Sequence, residues 1–94
     1  MIIESEKKLE RKLNQDIKNL GGLSIKLLSS QLTGLPDRLC LLPGGRLFFV
    51  EVKTTGKKPN KIQDFVHRQF RALGFVVAVI DTTEKLNNLL NDYR

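Results

Sequence analysis

Apolar residues recur along the chain at two different spacings, and these spacings predict its secondary structure. Ser5 is a good helix N-cap, and the apolar stripe that follows it at helical spacing comprises Leu9, Leu13, Ile17 and Leu20. Gly21 and Gly22 end this first helix. A second helix begins after the capping residue Asn60 and stops at Gly74, with an apolar stripe of Ile62, Phe65, Val66, Phe70 and Leu73.

Shorter apolar runs between and after these helices predict strands over residues 23–29, 38–42, 47–52 and 75–80. Pro43-Gly44-Gly45 can form the tight turn of a hairpin, since glycine tolerates positive φ angles. The last run, FVVAVI, is apolar throughout and is typical of an internal strand parallel to its neighbour, with the second helix as the crossover. A short helix over residues 83–91 completes an α/β (α+β) fold, a mixed sheet in the order α-β-β-β-α-β-α flanked by helices.

Length and cysteine content narrow the class of protein. The 94 residues predict one domain, 1–94, which would bury only roughly two-thirds of its unfolded surface, so a partner subunit would add stability. The single cysteine, Cys40, excludes an intramolecular disulfide and a thiolate zinc site, as is usual in a reducing compartment. Neither a membrane span nor a signal peptide is recognisable, so we expect a cytoplasmic protein.

The positive charge is concentrated in the middle of the chain. Sixteen basic and ten acidic residues give a net charge of +6. Residues 21–59 hold six of the bases but only two of the acids, Asp37 and Glu51, whereas both ends are nearly balanced. A surface formed by residues 21–59 would attract a polyanion such as nucleic acid while holding a cation near the acidic pair. An ordinary solvated basic face has the same composition.

The two acids of this segment lie where a hairpin would bring them together. Asp37 follows the Gly-Leu-Pro turn at the start of one strand, and Glu51 ends the next, on the same face as Lys53. Hard divalent cations take carboxylate oxygens, and the carbonyl of Val52 could add another. The residues therefore predict a Mg²⁺ or Mn²⁺ site with a lysine beside it, although aspartate after proline is also common in ordinary turns.

Three further polar residues are open to more than one interpretation. Gln63 is placed to complete a capping box with Asn60 or to face the strand that carries Glu51. Glu10 flanks the apolar stripe of the first helix and either pairs with a neighbour or reaches the site. His67 is predicted to be a surface residue, since the chain has no second histidine with which it could bind a metal.

Gly34-Leu35-Pro36-Asp37 followed by Glu51-Val52-Lys53 resembles the signature of the PD-(D/E)xK nuclease superfamily, and its surroundings resemble the VRR-NUC domain. The likeness runs from about Glu4 to Ile80 and includes the Gly21-Gly22 pair and Gln63. It implies a restriction-endonuclease-like core and a metal-dependent nuclease. The residues that it implies for metal binding are Asp37, Glu51 and Glu10, to which the Val52 carbonyl could be added; Lys53 and Gln63 complete the catalytic set. Glu6, one turn before Glu10, is the alternative acid on the first helix.

The resulting hypothesis is an endonuclease that cuts branched DNA such as four-way junctions. The resemblance implies a homodimer, because a four-way junction has two equivalent scissile sites. No small-molecule cofactor or membrane is expected, and the setting would be a bacterial cell or a phage-infected host. Backbone phosphates would be contacted by Lys26, Arg38, Lys57, Lys58 and Lys61. Alternatives are a DNA-binding module with this fold but no hydrolysis, and a small assembly protein whose acid pair is fortuitous.

Overall fold

A computed structural model describes all residues from Met1 to Arg94, and it has three helices and four strands. The elements are α1 (Glu6–Asn19), β1 (Leu23–Lys26), β2 (Arg38–Leu42), β3 (Arg46–Val52), α2 (Lys61–Ala72), β4 (Val77–Ile80) and α3 (Thr83–Asn91). The predicted mixed α/β architecture is confirmed. β1 and β4 are shorter than the apolar runs that predicted them.

The four strands form one sheet in the order β1-β2-β3-β4. The first three are antiparallel neighbours, and β4 runs parallel to β3 after the crossover through α2, as predicted. The β2–β3 turn uses Gly44 at φ +83° and Gly45 at φ +73°. The prediction that the last strand is internal is wrong. β3 takes the inner position between β2 and β4, so β4 is an edge strand.

One face of the sheet carries the hydrophobic core. Phe48, Val50 and Val52 project from β3 onto this face and are completely or almost completely buried. They belong to one cluster with the apolar stripes of α1 and α3, which contribute Leu9, Leu13, Ile17, Leu86 and Leu90. These two helices therefore close one side of the molecule.

The opposite face is only partly covered, and α2 packs on it against β3 and β4. Phe70 packs edge-on against Phe49 with ring centroids 4.9 Å apart, and the Arg71 guanidinium donates to the Val77 carbonyl. The apolar stripe predicted for α2 is buried only in part: Ile62 is 55%, Phe65 62% and Leu73 76% exposed. Apolar side chains of β1 and of the segment before β4 are exposed as well, including Leu23, Ile25 and Phe75.

Glu4 precedes Ser5, the N-cap residue of α1, and connects the N-terminus to two other segments through hydrogen bonds. The Glu4 carboxylate accepts hydrogen bonds from the backbone N–H and the hydroxyl of Thr83, at the start of α3. The Glu4 backbone exchanges hydrogen bonds with Thr55, just after β3. No helix combines the length and the apolar character that crossing a membrane would require.

Candidate active site

The antiparallel register of β2 and β3 brings Asp37 and Glu51 to the same end of the sheet. Arg38 is opposite Val50, so the preceding Asp37 lies beside Glu51, as the hairpin prediction requires. Asp37 Oδ2 accepts a hydrogen bond of 2.8 Å from the Val52 N–H, which fixes this carboxylate against β3.

The loop before Asp37 is held close to α2 by Gly34. This glycine has φ +88°, and a Cβ atom on it would lie 2.8 Å from the Ile62 carbonyl oxygen. A larger residue would clash with the backbone of α2 and would also strain its own backbone. Gly34 and the buried Pro36 together determine where Asp37 enters the sheet.

Glu51 is buried, with only 1% of its surface exposed. Its Oε2 lies 3.1 Å from Lys53 Nζ and 3.3 Å from Gln63 Nε2. Burial raises the pKa of Glu51, and the negative charge of Asp37 raises it further, while Lys53 acts in the opposite direction. The site therefore holds a carboxylate whose charge is only partly compensated by its protein neighbours.

Gln63 satisfies both roles that the sequence left open. Its backbone N–H donates to the Asn60 side chain and its Oε1 accepts from the Asn60 N–H, which completes the capping box. The same Oε1 lies 3.1 Å from Lys53 Nζ, while Nε2 points to Glu51. One side chain thus begins α2 and connects it to the lysine and the glutamate.

His67 is buried, so the prediction that it lies at the surface is wrong. The residue is 1% exposed, and its Nε2 lies 3.6 Å from Glu51 Oε1. Neither of these two buried atoms has a hydrogen-bond partner. Burial, and next the charge of Arg71, lower the pKa of His67. The helical spacing of four residues between Gln63 and His67 is the sequence signal that could have indicated this position.

The two acids considered on α1 have different surroundings. Glu10 Oε2 lies 3.5 Å from Arg38 Nε, and Arg38 projects to the α1 face of the sheet, since it follows Asp37 on the strand. Glu6 is exposed, and its charge is among the smaller causes that raise the pKa of Glu51. No three His, Cys, Asp or Glu side chains are grouped closely enough to form a metal cluster by themselves.

The predicted nucleic-acid contacts also differ in exposure. Lys26, Lys57, Lys58 and Lys61 are exposed, whereas the Arg38 side chain is only 13% exposed. Arg38 lines an open groove of about 430 Å³ between α1 and β1. The other residues that line the groove are Asn14, Lys18, Gly22, Leu23 and Ser24. No sequence pattern marks Lys18 or Asn14, because only the packing of α1 beside β1 brings them next to Arg38.

Comparisons with known proteins give one relative and one solved structure that match most of the chain. The chain is 38% identical over 79 residues to "Putative nuclease p44" of Acyrthosiphon pisum secondary endosymbiont phage 1, covering 84% of this chain and 85% of that protein. A solved structure described as a VRR_NUC domain superposes with a TM-score of 0.88 at 31% identity, covering 97% of this chain and all of the other. No protein-family model matches the chain.

Proposed function

The chain belongs to the VRR-NUC domain family, and from this premise we propose that it is a nuclease that uses Mg²⁺ or Mn²⁺ to hydrolyse phosphodiester bonds in branched DNA, such as four-way junctions. The observation that carries this proposal is the pairing of Asp37 and Glu51 at one end of the sheet, with Lys53 Nζ 3.1 Å from Glu51. The comparisons support nuclease activity, and the metal and the DNA structure are proposed from the chemistry of the residues.

The donor set fits a hard divalent cation. Such ions prefer oxygen ligands and are commonly bound by one or two carboxylates, with waters and a substrate phosphate completing the shell. Asp37 and Glu51 would be the protein carboxylates, with the Val52 carbonyl and an acid of α1 as further donors. A carboxylate has about four lone-pair positions, so Glu51 can accept from Lys53 and Gln63 and still bind a cation. Glu6 suits the role on α1 better than Glu10, because Glu10 is already paired with Arg38.

The neighbouring side chains supply positioning and charge. When bound, the cation would polarise the scissile phosphate and favour deprotonation of the attacking water. The Lys53 ammonium would stabilise negative charge that grows on the phosphate oxygens. Gln63 holds Lys53 and Glu51 in fixed relation through its side-chain amide. Because Glu51 is excluded from bulk water, these interactions act in a low dielectric, where they are stronger.

DNA would approach the end of the sheet where the acids lie. The exposed lysines Lys57 and Lys58 follow β3, and Lys61 begins α2, so all three flank the site. Lys26 ends β1 opposite Arg38 at the same end of the sheet. Their exposure leaves them free to contact backbone phosphates, whereas the main role of the nearly buried Arg38 would be to hold Glu10.

A homodimer is proposed to cover the open face of the sheet. The exposed apolar side chains on this side of the molecule form what we call the apolar surface, consisting of Leu23, Ile25, Ile62, Phe65, Leu73 and Phe75. Their exposed area is on the order of 500 Å², as large as the largest apolar patches of typical monomers, which are often functional. A standard interface buries about 800 Å² per partner, of which roughly 57% is apolar, so the apolar surface has the right size.

The nuclease proposal is tested with a labelled four-way junction and the Asp37→Asn variant. We expect wild type to cut the junction in Mn²⁺ and the variant to lose at least about 100-fold in rate while still binding the junction, because the loss of one carboxylate weakens the metal site and leaves the lysines unchanged. Asp92→Asn, an exposed change just after α3, is the matched control and should cut like wild type. Equal cutting by Asp37→Asn and wild type would reject the site.

The same experiment separates the alternatives. Salt-sensitive junction binding by wild type without cutting in any divalent metal would favour a DNA-binding module. Absence of both metal binding and DNA preference would favour an assembly protein.

The dimer is tested by light scattering after size-exclusion chromatography. Phe65→Lys places a charge in the middle of the apolar surface and should convert a dimer of about twice the 10.7 kDa chain mass into a monomer. Arg68→Lys, at an exposed charged position on α2, should remain dimeric. A wild-type protein that is monomeric at micromolar concentration would contradict this part of the proposal.

A further inference from the structure

We propose that His67 is a positioning residue for Glu51: its Nε2–H donates to Glu51 Oε1 and so fixes the plane of the carboxylate. The inference rests on the proposed function, since it concerns how a carboxylate of the candidate metal site is held. It assigns a role to a residue that neither the sequence motifs nor the comparisons single out.

The geometry leaves these two atoms few other partners. Glu51 Oε2 already faces Lys53 and Gln63, whereas Oε1 is buried and faces only His67 Nε2, 3.6 Å away. Both atoms lack a hydrogen-bond partner. Buried polar atoms are nearly always paired in folded proteins, so two unpaired atoms that face each other indicate a contact that closes by a shift of less than about 1 Å.

With this hydrogen bond, side chains of α2 would contact both carboxylate oxygens of Glu51. Gln63 and His67 are four residues apart in α2 and therefore lie on the same side of it, one turn from each other. Gln63 donates to Oε2, and His67 would donate to Oε1. Because two contacts on different oxygens restrict rotation about the last side-chain bond, the carboxylate would be preorganised for its ligand.

The imidazole is suited to donation without carrying charge. A neutral imidazole has one N–H and one bare nitrogen, so it can donate from one nitrogen only. The tautomer with hydrogen on Nε2 is the one that satisfies Glu51. Partners of this kind, one step removed from the metal, typically change metal affinity about 10- to 100-fold when removed.

The test compares two substitutions with different hydrogen-bonding ability. His67→Phe keeps a bulky ring without a donor, and His67→Gln keeps an N–H donor. Mn²⁺ affinity is measured by titration calorimetry on protein stripped of metal, with thermal unfolding measured alongside. We expect His67→Phe to remain folded and bind Mn²⁺ about 10- to 100-fold more weakly. His67→Gln should recover most of this affinity, and Gln69→Ala, an exposed change on the same helix, should match wild type.

A second measurement needs no variant, and it tests the hydrogen bond from His67 to Glu51 even if His67→Phe does not fold. In the ¹⁵N spectrum of wild-type imidazole with Mg²⁺ present, hydrogen on Nε2 is the expected result, and a bare Nε2 would overturn the proposal. Unchanged Mn²⁺ affinity in folded His67→Phe, or direct ¹⁴N coupling between His67 and Mn²⁺ in electron spin-echo spectra, would also overturn it. A wild type that neither binds Mn²⁺ nor cuts DNA would sink the proposed function, while the imidazole spectrum would still decide the contact.

Discussion

Glu51 is the residue at which stability and the proposed chemistry oppose each other. A buried carboxylate that retains its charge costs folding free energy unless its partners compensate fully, and here the pKa of Glu51 is raised. The raised pKa means that the folded protein binds this proton more tightly than the unfolded chain. The associated stability is present below the ordinary pKa of 4.5 and is lost as the pH rises through the raised value.

We therefore predict that Glu51→Gln stabilises the metal-free protein at pH 7. The expected gain is on the order of 1 kcal/mol, equivalent to a rise in Tm of about 4–8 °C for a domain of this size. The gain should shrink as the pH falls, since wild-type Glu51 then becomes neutral as well. Saturating Mn²⁺ should reverse the order by stabilising wild type alone. Thermal unfolding at several pH values, with and without Mn²⁺, measures each effect, and a lower Tm for metal-free Glu51→Gln at pH 7 would contradict the argument.

At the scale of single elements, helix caps and turns were the most predictable features. Ser5 and Asn60 cap α1 and α2 as expected, and α3 has the predicted bounds. These signals are local: a capping side chain bonds to backbone only three residues away. The convergence of Asp37 and Glu51 could also be predicted, because a short hairpin leaves few possible registers.

Features that depend on how elements pack could not be predicted in the same way. The α2 stripe is amphipathic, but periodicity does not tell which part of a wide apolar face touches the sheet and which part stays open. For that reason Phe65 was predicted to be inward and His67 outward, and both predictions are wrong. The apolar composition of β4 predicts an internal strand, and this prediction is wrong because strand order depends on topology and not on composition.

The link from Glu4 to α3 gives a prediction about acid stability. Hydrogen bonds from the Thr83 hydroxyl and then the Thr83 N–H lower the pKa of Glu4, so its stabilising effect is present above the ordinary pKa of 4.5 and is lost as the pH falls through the lowered value. Glu4→Gln should lower the Tm at pH 7 and have little effect near pH 2. Glu84→Gln, an exposed change in the first turn of α3, is the control. A difference between wild type and Glu4→Gln that is the same at both pH values would show that charge has no part in this contact.

At the scale of the whole molecule, net charge determines how DNA binding responds to salt. Each phosphate neutralised by a lysine contributes about −0.9 to the slope of log K against log salt concentration on duplex DNA. The double change Lys57→Gln and Lys58→Gln should therefore make the slope shallower by up to about 1.8, measured by fluorescence anisotropy in the non-cutting Asp37→Asn background.

The matched control removes the same charge from lysines that are already paired within the protein. Lys12 and Lys85 form ion pairs with Asp16 and Asp81, so changing both to Gln should leave the slope nearly unchanged. Equal slopes for the two double variants would mean that total charge, and not the loop after β3, governs binding.

The parallel pairing of β3 with β4 also affects when the protein can become active. Both acids are on the early hairpin, but Gln63 and His67 are on the crossover helix α2, which is joined to the sheet by the parallel pairing of β3 with β4, a contact between distant parts of the sequence. A chain still emerging from the ribosome would carry the two carboxylates without the helix that holds them. We therefore expect cleavage only from chains that extend at least through α2.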